Sequence, residues 1–237
     1  MEIQKGETTS DWLFQKLSNE IINGLLKPNE KISEPSIAKR FGTSRAPVRE
    51  AIRRMEERRL VNRKPHSGCR VASFSVENCL EIFEIREALE GVACRLATER
   101  MRDEDLSRLR EDLEEQMQMS LSGEEFTTER INRFRDFHYT IARGSQNITL
   151  TRLLCEDYYN LINLYRKRYS WIGSSEVRAQ SIRAHLRILE AMEERDADFA
   201  ETLMRRHIAS AVIKLKEEYQ DSLQKGTPVT ADRFDKQ

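Results

Sequence analysis

The chain of 237 residues is long enough for two domains, because single hydrophobic cores seldom extend beyond about 200 residues. Charged residues make up 34% of it and hydrophobic residues 38%, with 9 Gly and 5 Pro, which disfavours a turn-rich β fold and predicts a mostly α protein. The long apolar runs of a membrane span or a signal peptide are missing, so we expect a cytoplasmic protein without a membrane partner.

The formal net charge of zero conceals a difference between the two ends of the chain. Residues 1–73 contain 15 Lys and Arg against 9 Asp and Glu, which leaves 25 against 31 in the remainder. Phosphate contacts of basic side chains supply most non-specific DNA affinity, so the basic end is the candidate for nucleic-acid binding. A solvated, charged face with no partner would show the same imbalance.

Three short helices are predicted near the N-terminus. The first follows the polar cluster Thr8–Asp11 and has Gly24 available to end it. The second follows Ser33 and stops at Gly42, and the third opens at the N-cap residue Ser44. Two short helices around a Gly-containing turn predict a helix-turn-helix.

The third of these helices is the candidate recognition helix. Arg45 and Arg49 lie one turn apart, offset by about 40° around the axis, so both side chains can project from its start in one direction. An Arg fork can bond both acceptors of guanine, which gives roughly 1 to 3 kcal/mol of discrimination per base. We assign Ser36 and Ser44 to the same DNA-contacting surface. The alternative for Arg49 is an ion pair with a nearby acid such as Glu50.

A β-hairpin wing is predicted after the third helix. Its strands are Leu60–Arg63 and Cys69–Ala72, joined by Lys64–Gly68, which contains the Pro and Gly typical of a hairpin tip. We assign His66 and Gly68 to the DNA-contacting surface, where His66 would rest on phosphates or reach a minor groove. A plain exposed loop histidine is the alternative.

The stretches PNEKISEPSIAKRFGTSRAPVREAI and LVNRKPHSGCRV resemble the DNA-binding domain of the GntR family. The SRAPVREA segment is the most specific part of this resemblance. It implies a winged helix-turn-helix that binds operator DNA. The family usually has Gly after Pro28, where this chain has Asn29, and Asn tolerates the left-handed backbone that such a turn needs.

The remainder of the chain shows helical periodicity without alternating strands or a Gly-rich phosphate loop. It predicts an all-α bundle of six or seven helices, with domains at 1–73 and 77–220 and a polar tail, 221–237, that we expect to be disordered. One apolar stripe comprises Ile82, Ile85, Leu89, Val92 and Leu96. The cysteines lack the spacing of a zinc knuckle and are expected to be reduced and mostly buried: Cys69, Cys79, Cys94 and Cys155.

Three histidines of this segment lie beside or within apolar stripes: His138, His185 and His207. A single histidine in such a position is usually a hydrogen-bonded core residue. Spacing alone leaves open whether the three converge on one site.

The stretches FEIREALEGVACRLA, FHYTIARGSQN and AHLRILEAMEERDADFAETLMRRHI resemble the FCD ligand-binding domain of the FadR subfamily. Members of that group commonly hold a divalent metal with one acidic residue and three histidines, and bind a small organic acid at or near it. The resemblance therefore implies that His138, His185 and His207 are metal and effector ligands. It also implies that Arg86 grips the effector carboxylate, for which a bidentate Arg is suited; the alternative for Arg86 is an i, i+4 pair with Glu90.

The acidic ligand of this resemblance is missing, because the position one turn before His138 is Phe134. Asp136 lies about 200° away from His138 around the helix and is a poor substitute. Three neutral imidazoles with an open position can still hold zinc or nickel. A metal-free polar pocket is the alternative.

These features predict a ligand-responsive repressor that binds a palindromic operator as a homodimer and senses a small organic acid, alone or bound to a metal. The alternative is an architectural DNA-binding protein without an effector site. An enzyme is not expected, because the helical HExxH motif, the nucleophile elbow and spaced catalytic carboxylates are all missing.

Overall fold

The computed structural model describes residues 6–64, 68–73, 75–122, 136–168 and 175–225. They divide into two compact units, of which the first holds the residues up to 75 together with 160–168, and the second holds the rest. Within the described ranges, every helix is too short or too polar to cross a membrane.

The first unit contains the three predicted helices, α1 (Thr9–Ile22), α2 (Glu34–Phe41) and α3 (Arg45–Glu57). Helix α1 begins at a capping box, in which the Thr8 hydroxyl accepts from the Asp11 N–H and the Asp11 carboxylate accepts from the Thr8 N–H. Helix α2 ends at Gly42, whose φ of 64° is the left-handed conformation of a C-cap glycine.

The wing is a three-stranded antiparallel sheet in the order β1-β3-β2, whose strands are β1 (Lys31–Ile32), β2 (Val61–Lys64) and β3 (Gly68–Val71). The hairpin of β2 and β3 confirms the predicted wing, with Asn62 opposite Arg70. Strand β1 was not predicted, because two residues are too few to show the alternation of a strand. It pairs with β3 and places Ile32 opposite Cys69.

Asn29 adopts the left-handed conformation expected of it, with a φ of 65°. Its N–H donates to the Val71 carbonyl at 3.0 Å, and the Arg70 guanidinium donates to its carbonyl at 2.9 Å. The turn that leads into β1 is therefore fixed to β3 by side-chain and backbone hydrogen bonds.

The core of the first unit is formed by α1, α3 and Leu60, the first buried residue after α3. Its members are fully buried and apolar: Leu13, Leu17, Val48, Ala51, Ile52, Met55 and Leu60. Helix α1 packs on α3, which fixes the buried face of α3 and leaves its opposite face exposed.

The described part of the second unit consists of helices and short turns. Its helices are α4 (Val76–Arg100), α5 (Asp103–Ser122), α6 (Phe137–Gly144), α7 (Ile148–Arg152), a π-helical turn (Leu153–Asp157), α9 (Ser175–Glu193) and α10 (Ala197–Lys225), with α8 (Tyr159–Arg168) falling mainly in the first unit. The described helices confirm the mostly α class. Helix α10 extends to Lys225, so the predicted start of the tail at 221 falls inside a helix.

Helix α4 packs most extensively against α10 and also contacts α6. The two long helices approach closely at Gly91, where an added Cβ would lie 2.8 Å from the Arg205 side chain. The central position of α4 brings its inward-facing side chains next to residues of both partners.

The inward face of α4 differs from the apolar stripe seen in the sequence. Ile82 is buried as expected, but Ile85 and Val92 are 44% and 37% exposed. The charged residues Arg86 and Glu90 are buried in their place, each 4% exposed. Hydrophobicity alone misplaces this face because the helix buries an ion pair and presents aliphatic side chains outward.

The four cysteines are free thiols, and three of them are buried. Burial raises the pKa of Cys94 to about 12 and that of Cys155 to about 11. These thiols are protonated at neutral pH, and the burial of three of the four cysteines agrees with the expectation that most are buried.

Candidate DNA-binding surface and histidine site

The predicted DNA-contacting residues of the two central helices are exposed. Ser36 of α2 and Ser44, Arg45 and Arg49 of α3 are all exposed. Ser44 occupies the N-cap of α3, and its side chain makes no capping hydrogen bond. We call these four residues the α3 surface.

Arg49 is paired within the protein, although its side chain is 67% exposed. Its Nε donates to Glu34 of α2 at 3.2 Å, and the other oxygen of Glu34 lies 4.0 Å from Arg63 of β2. The partner suggested from the sequence was Glu50, which instead accepts two hydrogen bonds from Arg53. The sequence alternative therefore had the right kind of interaction and the wrong acid.

Of the two assigned wing residues, Gly68 is exposed at the start of β3 with a φ of 76°. A residue with a side chain would be strained in this conformation. His66 lies outside the described residues.

The three histidines of the second unit come together. His138 lies on α6, His185 on α9 and His207 on α10, and one nitrogen of each lies within 4.8 Å of the others. The Nε2 atoms of His185 and His207 are 3.1 Å apart. His185 also stacks on Phe137, with ring centroids 4.2 Å apart and an interplanar angle of 12°. We call these three residues the histidine site.

A buried ion pair of α4 adjoins the histidine site. Glu90 Oε2 lies 2.5 Å from His138 Nδ1, and Glu90 Oε1 accepts a hydrogen bond from Arg86 Nε, also at 2.5 Å. The side chains of Arg86 and Glu90 are only 5% and 6% exposed. The pairing of Arg86 with Glu90, which the sequence left as an alternative, is thus present.

The charge state of Glu90 follows from these neighbours. Burial by itself raises the pKa of the Glu90 carboxyl, but the charges and hydrogen bonds of Arg86 and His138 outweigh burial and hold this pKa well below its ordinary value. Glu90 is therefore a carboxylate, which can only accept hydrogen bonds.

The donor set of the histidine site fits a transition metal. Imidazole suits zinc and nickel, and two nitrogens bound to one tetrahedral zinc lie about 3.3 Å apart, close to the separation of His185 and His207. Glu90 does not belong to the group of converging donor atoms. Asp136 is the N-cap residue of α6, and its carboxylate accepts a hydrogen bond from the Tyr139 N–H. This capping role explains the position of the Asp136 side chain without a metal. Phe134 lies outside the described residues.

Two functional contacts were missed from the sequence. The Glu90–His138 contact joins residues 48 positions apart, and the Glu34–Arg49 contact joins different helices. Neither has a local spacing signal. For the Glu90–His138 contact, the only signal in the sequence was a charged residue, Glu90, among apolar residues of the helix.

Comparison with known proteins agrees with this structure. Residues 9–71 match the model of bacterial regulatory proteins of the gntR family, and residues 81–210 match the FCD domain. An uncharacterised HTH-type transcriptional regulator of Bacillus subtilis, YdhC, is 34% identical over 188 residues, covering 79% of this chain and 82% of that protein. The HTH-type transcriptional repressor GlaR of Escherichia coli is 27% identical over 205 residues, covering 84% and 92%.

The fold is also found among solved structures. The structure of Escherichia coli McbR/YncC has a TM-score of 0.68 at 22% identity, covering 90% of this chain and 99% of that one. Both resemblances drawn from sequence motifs are confirmed by the family matches. The FCD match covers more than half of the chain and follows the match to the gntR family model. The chain therefore belongs to the GntR family of bacterial regulatory proteins.

Proposed function

We propose that this protein is a ligand-responsive transcriptional repressor that binds a palindromic operator as a homodimer in the cytoplasm. The observation that carries the proposal is the exposure of Arg45 and Arg49 at the start of α3 in a GntR-type winged helix-turn-helix. The amino-terminal residues of a recognition helix are those that reach base edges in the major groove. Repression is supported by the Escherichia coli relative, which is named a repressor.

The proposed DNA contacts divide by chemistry. Arg45 and Arg49 would bond guanine edges, while Ser36, Ser44 and the Gly68 backbone would contact phosphates. Hydroxyl and backbone N–H groups of this kind fix the register of a protein on the duplex without selecting bases. His66 would add a contact from the wing.

A homodimer is supported by the outward face of α4. Ile85, Ala88 and Val92 follow one another at helical spacing and are exposed, so they form an apolar stripe. A two-fold dimer buries the same patch of both subunits, and an apolar stripe on one long helix is suited to pairing with its own copy. The two-fold axis would match the symmetry of a palindromic operator.

The effector would bind at the histidine site, in the proposed domain of residues 77–220. We propose that His138, His185 and His207 hold zinc or nickel, and that a small organic acid completes the coordination. Arg86 donates a hydrogen bond from Nε to Glu90. We assign its two Nη nitrogens as the donors to the effector carboxylate. The metal would supply a Lewis-acid position for this carboxylate.

The first experiment identifies the DNA target and tests the α3 surface. Duplexes enriched by the protein from a random library are measured by fluorescence anisotropy, together with every single-base variant. Arg45→Ala should reduce discrimination at one base position by roughly 5- to 150-fold, the equivalent of 1 to 3 kcal/mol. Arg102 is an exposed arginine of the second unit, so Arg102→Ala serves as the matched control and should change nothing.

Two results would contradict the proposal. Equal loss of affinity on all sequences in Arg45→Ala would favour an architectural DNA-binding protein. A panel of small organic acids, with and without Zn²⁺, that leaves the affinity for the enriched duplex unchanged would remove the effector function, since an effector must bind one of two states more tightly.

A further inference from the structure

The geometry points to Glu90 as a positioning residue for a metal at the histidine site. We infer that its carboxylate fixes the orientation and tautomer of His138, and that it supplies through this ring the negative charge that Phe134 cannot supply. The inference rests on the proposed metal site and assigns a role to a residue of α4 outside the set of ligands.

The tautomer follows from the hydrogen bond between His138 and Glu90. Glu90 Oε2 lies 2.5 Å from Nδ1 of the ring, and a carboxylate has no proton to donate. Nδ1 therefore carries the hydrogen and donates it, and in the neutral ring, the form that binds a metal, the lone pair lies on Nε2. Metal-bound histidines commonly use one nitrogen as ligand and donate the other N–H to a carboxylate, which also makes the ring a stronger ligand.

Glu90 is itself held in place from the opposite side. Arg86 Nε donates to Oε1 of the same carboxylate at 2.5 Å, and the guanidinium lies over the Phe83 ring, 5.1 Å from its centroid. Phe83 is fully buried. Because both carboxylate oxygens are engaged, Glu90 has little freedom to rotate, and the orientation of His138 is fixed relative to α4.

The charges of the site give Glu90 a second effect. A divalent metal held by three neutral imidazoles keeps its full charge, and the buried Arg86 adds another positive charge nearby. Glu90 compensates Arg86 and polarises His138. Without its charge, Arg86 becomes an uncompensated buried cation close to the metal, which weakens metal binding through Coulomb repulsion in a medium of low polarity.

The test measures zinc affinity of the full-length, metal-free protein by competition with a chromophoric chelator. Glu90→Gln should weaken Zn²⁺ binding by about 10- to 100-fold, the loss typical of removing such a supporting carboxylate. His138→Ala reports on the site itself. Glu193→Gln is the matched control, because Glu193 also pairs with an arginine of the bundle, Arg110, and the substitution removes the same charge. The control should stay within about twofold of the wild type.

A second measurement reports on the tautomer directly. Long-range ¹⁵N–¹H spectra of the metal-free wild type should show His138 protonated at Nδ1, and Glu90→Gln should populate the other tautomer, because an amide can donate as well as accept. If thermal unfolding shows that Glu90→Gln does not fold, Glu90→Asp replaces it. That variant keeps the charge but is one methylene too short to reach both partners, so it should bind Zn²⁺ with intermediate affinity.

The outcomes separate this inference from the proposed function. If Glu90→Gln binds Zn²⁺ as tightly as the wild type while His138→Ala does not, the metal site stands and the role of Glu90 is wrong. If His138→Ala binds as tightly as the wild type, or the wild type binds no Zn²⁺, the metal site is wrong and this inference falls with it. A neutral His138 ring that carries its hydrogen on Nε2 and none on Nδ1 in the metal-free wild type refutes the role of Glu90 at any zinc affinity.

Discussion

Substitution of Glu34 by Gln should increase the affinity of this protein for DNA. In the unbound protein, Glu34 accepts a hydrogen bond from Arg49 at 3.2 Å and lies 4.0 Å from Arg63. If Arg49 contacts a guanine, as proposed, the pair with Glu34 has to break first. The carboxylate of Glu34 also lies on the surface that would face phosphates.

The size of the effect follows from the exposure of the pair. The Arg49 side chain is 67% exposed and that of Glu34 is 22% exposed, so solvent screens their attraction. Such pairs contribute about 0.2 to 1 kcal/mol, so removing the competitor should strengthen binding by about 1.5- to 5-fold per subunit. Two subunits on one operator should give about 2- to 25-fold in total.

The assay is fluorescence anisotropy of Glu34→Gln on the enriched duplex at several salt concentrations, because electrostatic effects on DNA binding depend on salt. Glu81→Gln changes the net charge equally at an exposed position of α4 and serves as the control. Weaker binding by Glu34→Gln, with unchanged thermal stability, would mean that Glu34 positions Arg49 for DNA and does not compete with it. An equal gain in Glu81→Gln would show that net charge alone is responsible.

Two further predictions concern stability and assembly. The pKa of Asp11 is lowered by its hydrogen bonds with Thr8 and Arg54, so its charge stabilises the folded state above the ordinary value of 3.8, and this contribution is lost as the pH falls below it. Urea unfolding should find Asp11→Asn less stable than the wild type by about 0.5 kcal/mol at pH 7 and equal to it near pH 2; a gap that persists in acid would contradict this. Val92→Glu on the apolar stripe of α4 should shift sedimentation from dimer to monomer without unfolding the protein, and an unchanged dimer would place the interface elsewhere.

The first unit was largely predictable because its signals are local. Glycine at position 42, the capping residues around position 8 and the left-handed Asn29 each act within a few residues of the chain. The short strand β1 was the exception, since its existence depends on pairing with β3 and leaves no periodic pattern of its own.

The histidine site was only partly predictable because its geometry depends on tertiary packing. The sequence identified the three histidines through a family resemblance, and their convergence required the packing of α6, α9 and α10. The inward face of α4 was assigned from hydrophobicity, which does not anticipate that Arg86 and Glu90 are buried while Ile85 and Val92 are exposed. The second carboxylate oxygen of Glu90 contacts His138, which lies on α6 and 48 positions away in the sequence.

The small strand β1 has a mechanical consequence for the first unit. A two-stranded hairpin is marginally stable in water, whereas three strands form a stiffer sheet. Because β1 directly precedes α2 and pairs with the central strand β3, the wing is tied to the helix-turn-helix at both of its connections. The positions of the wing and α3 are therefore coupled, and in the proposed complex a half-site would have to match their spacing.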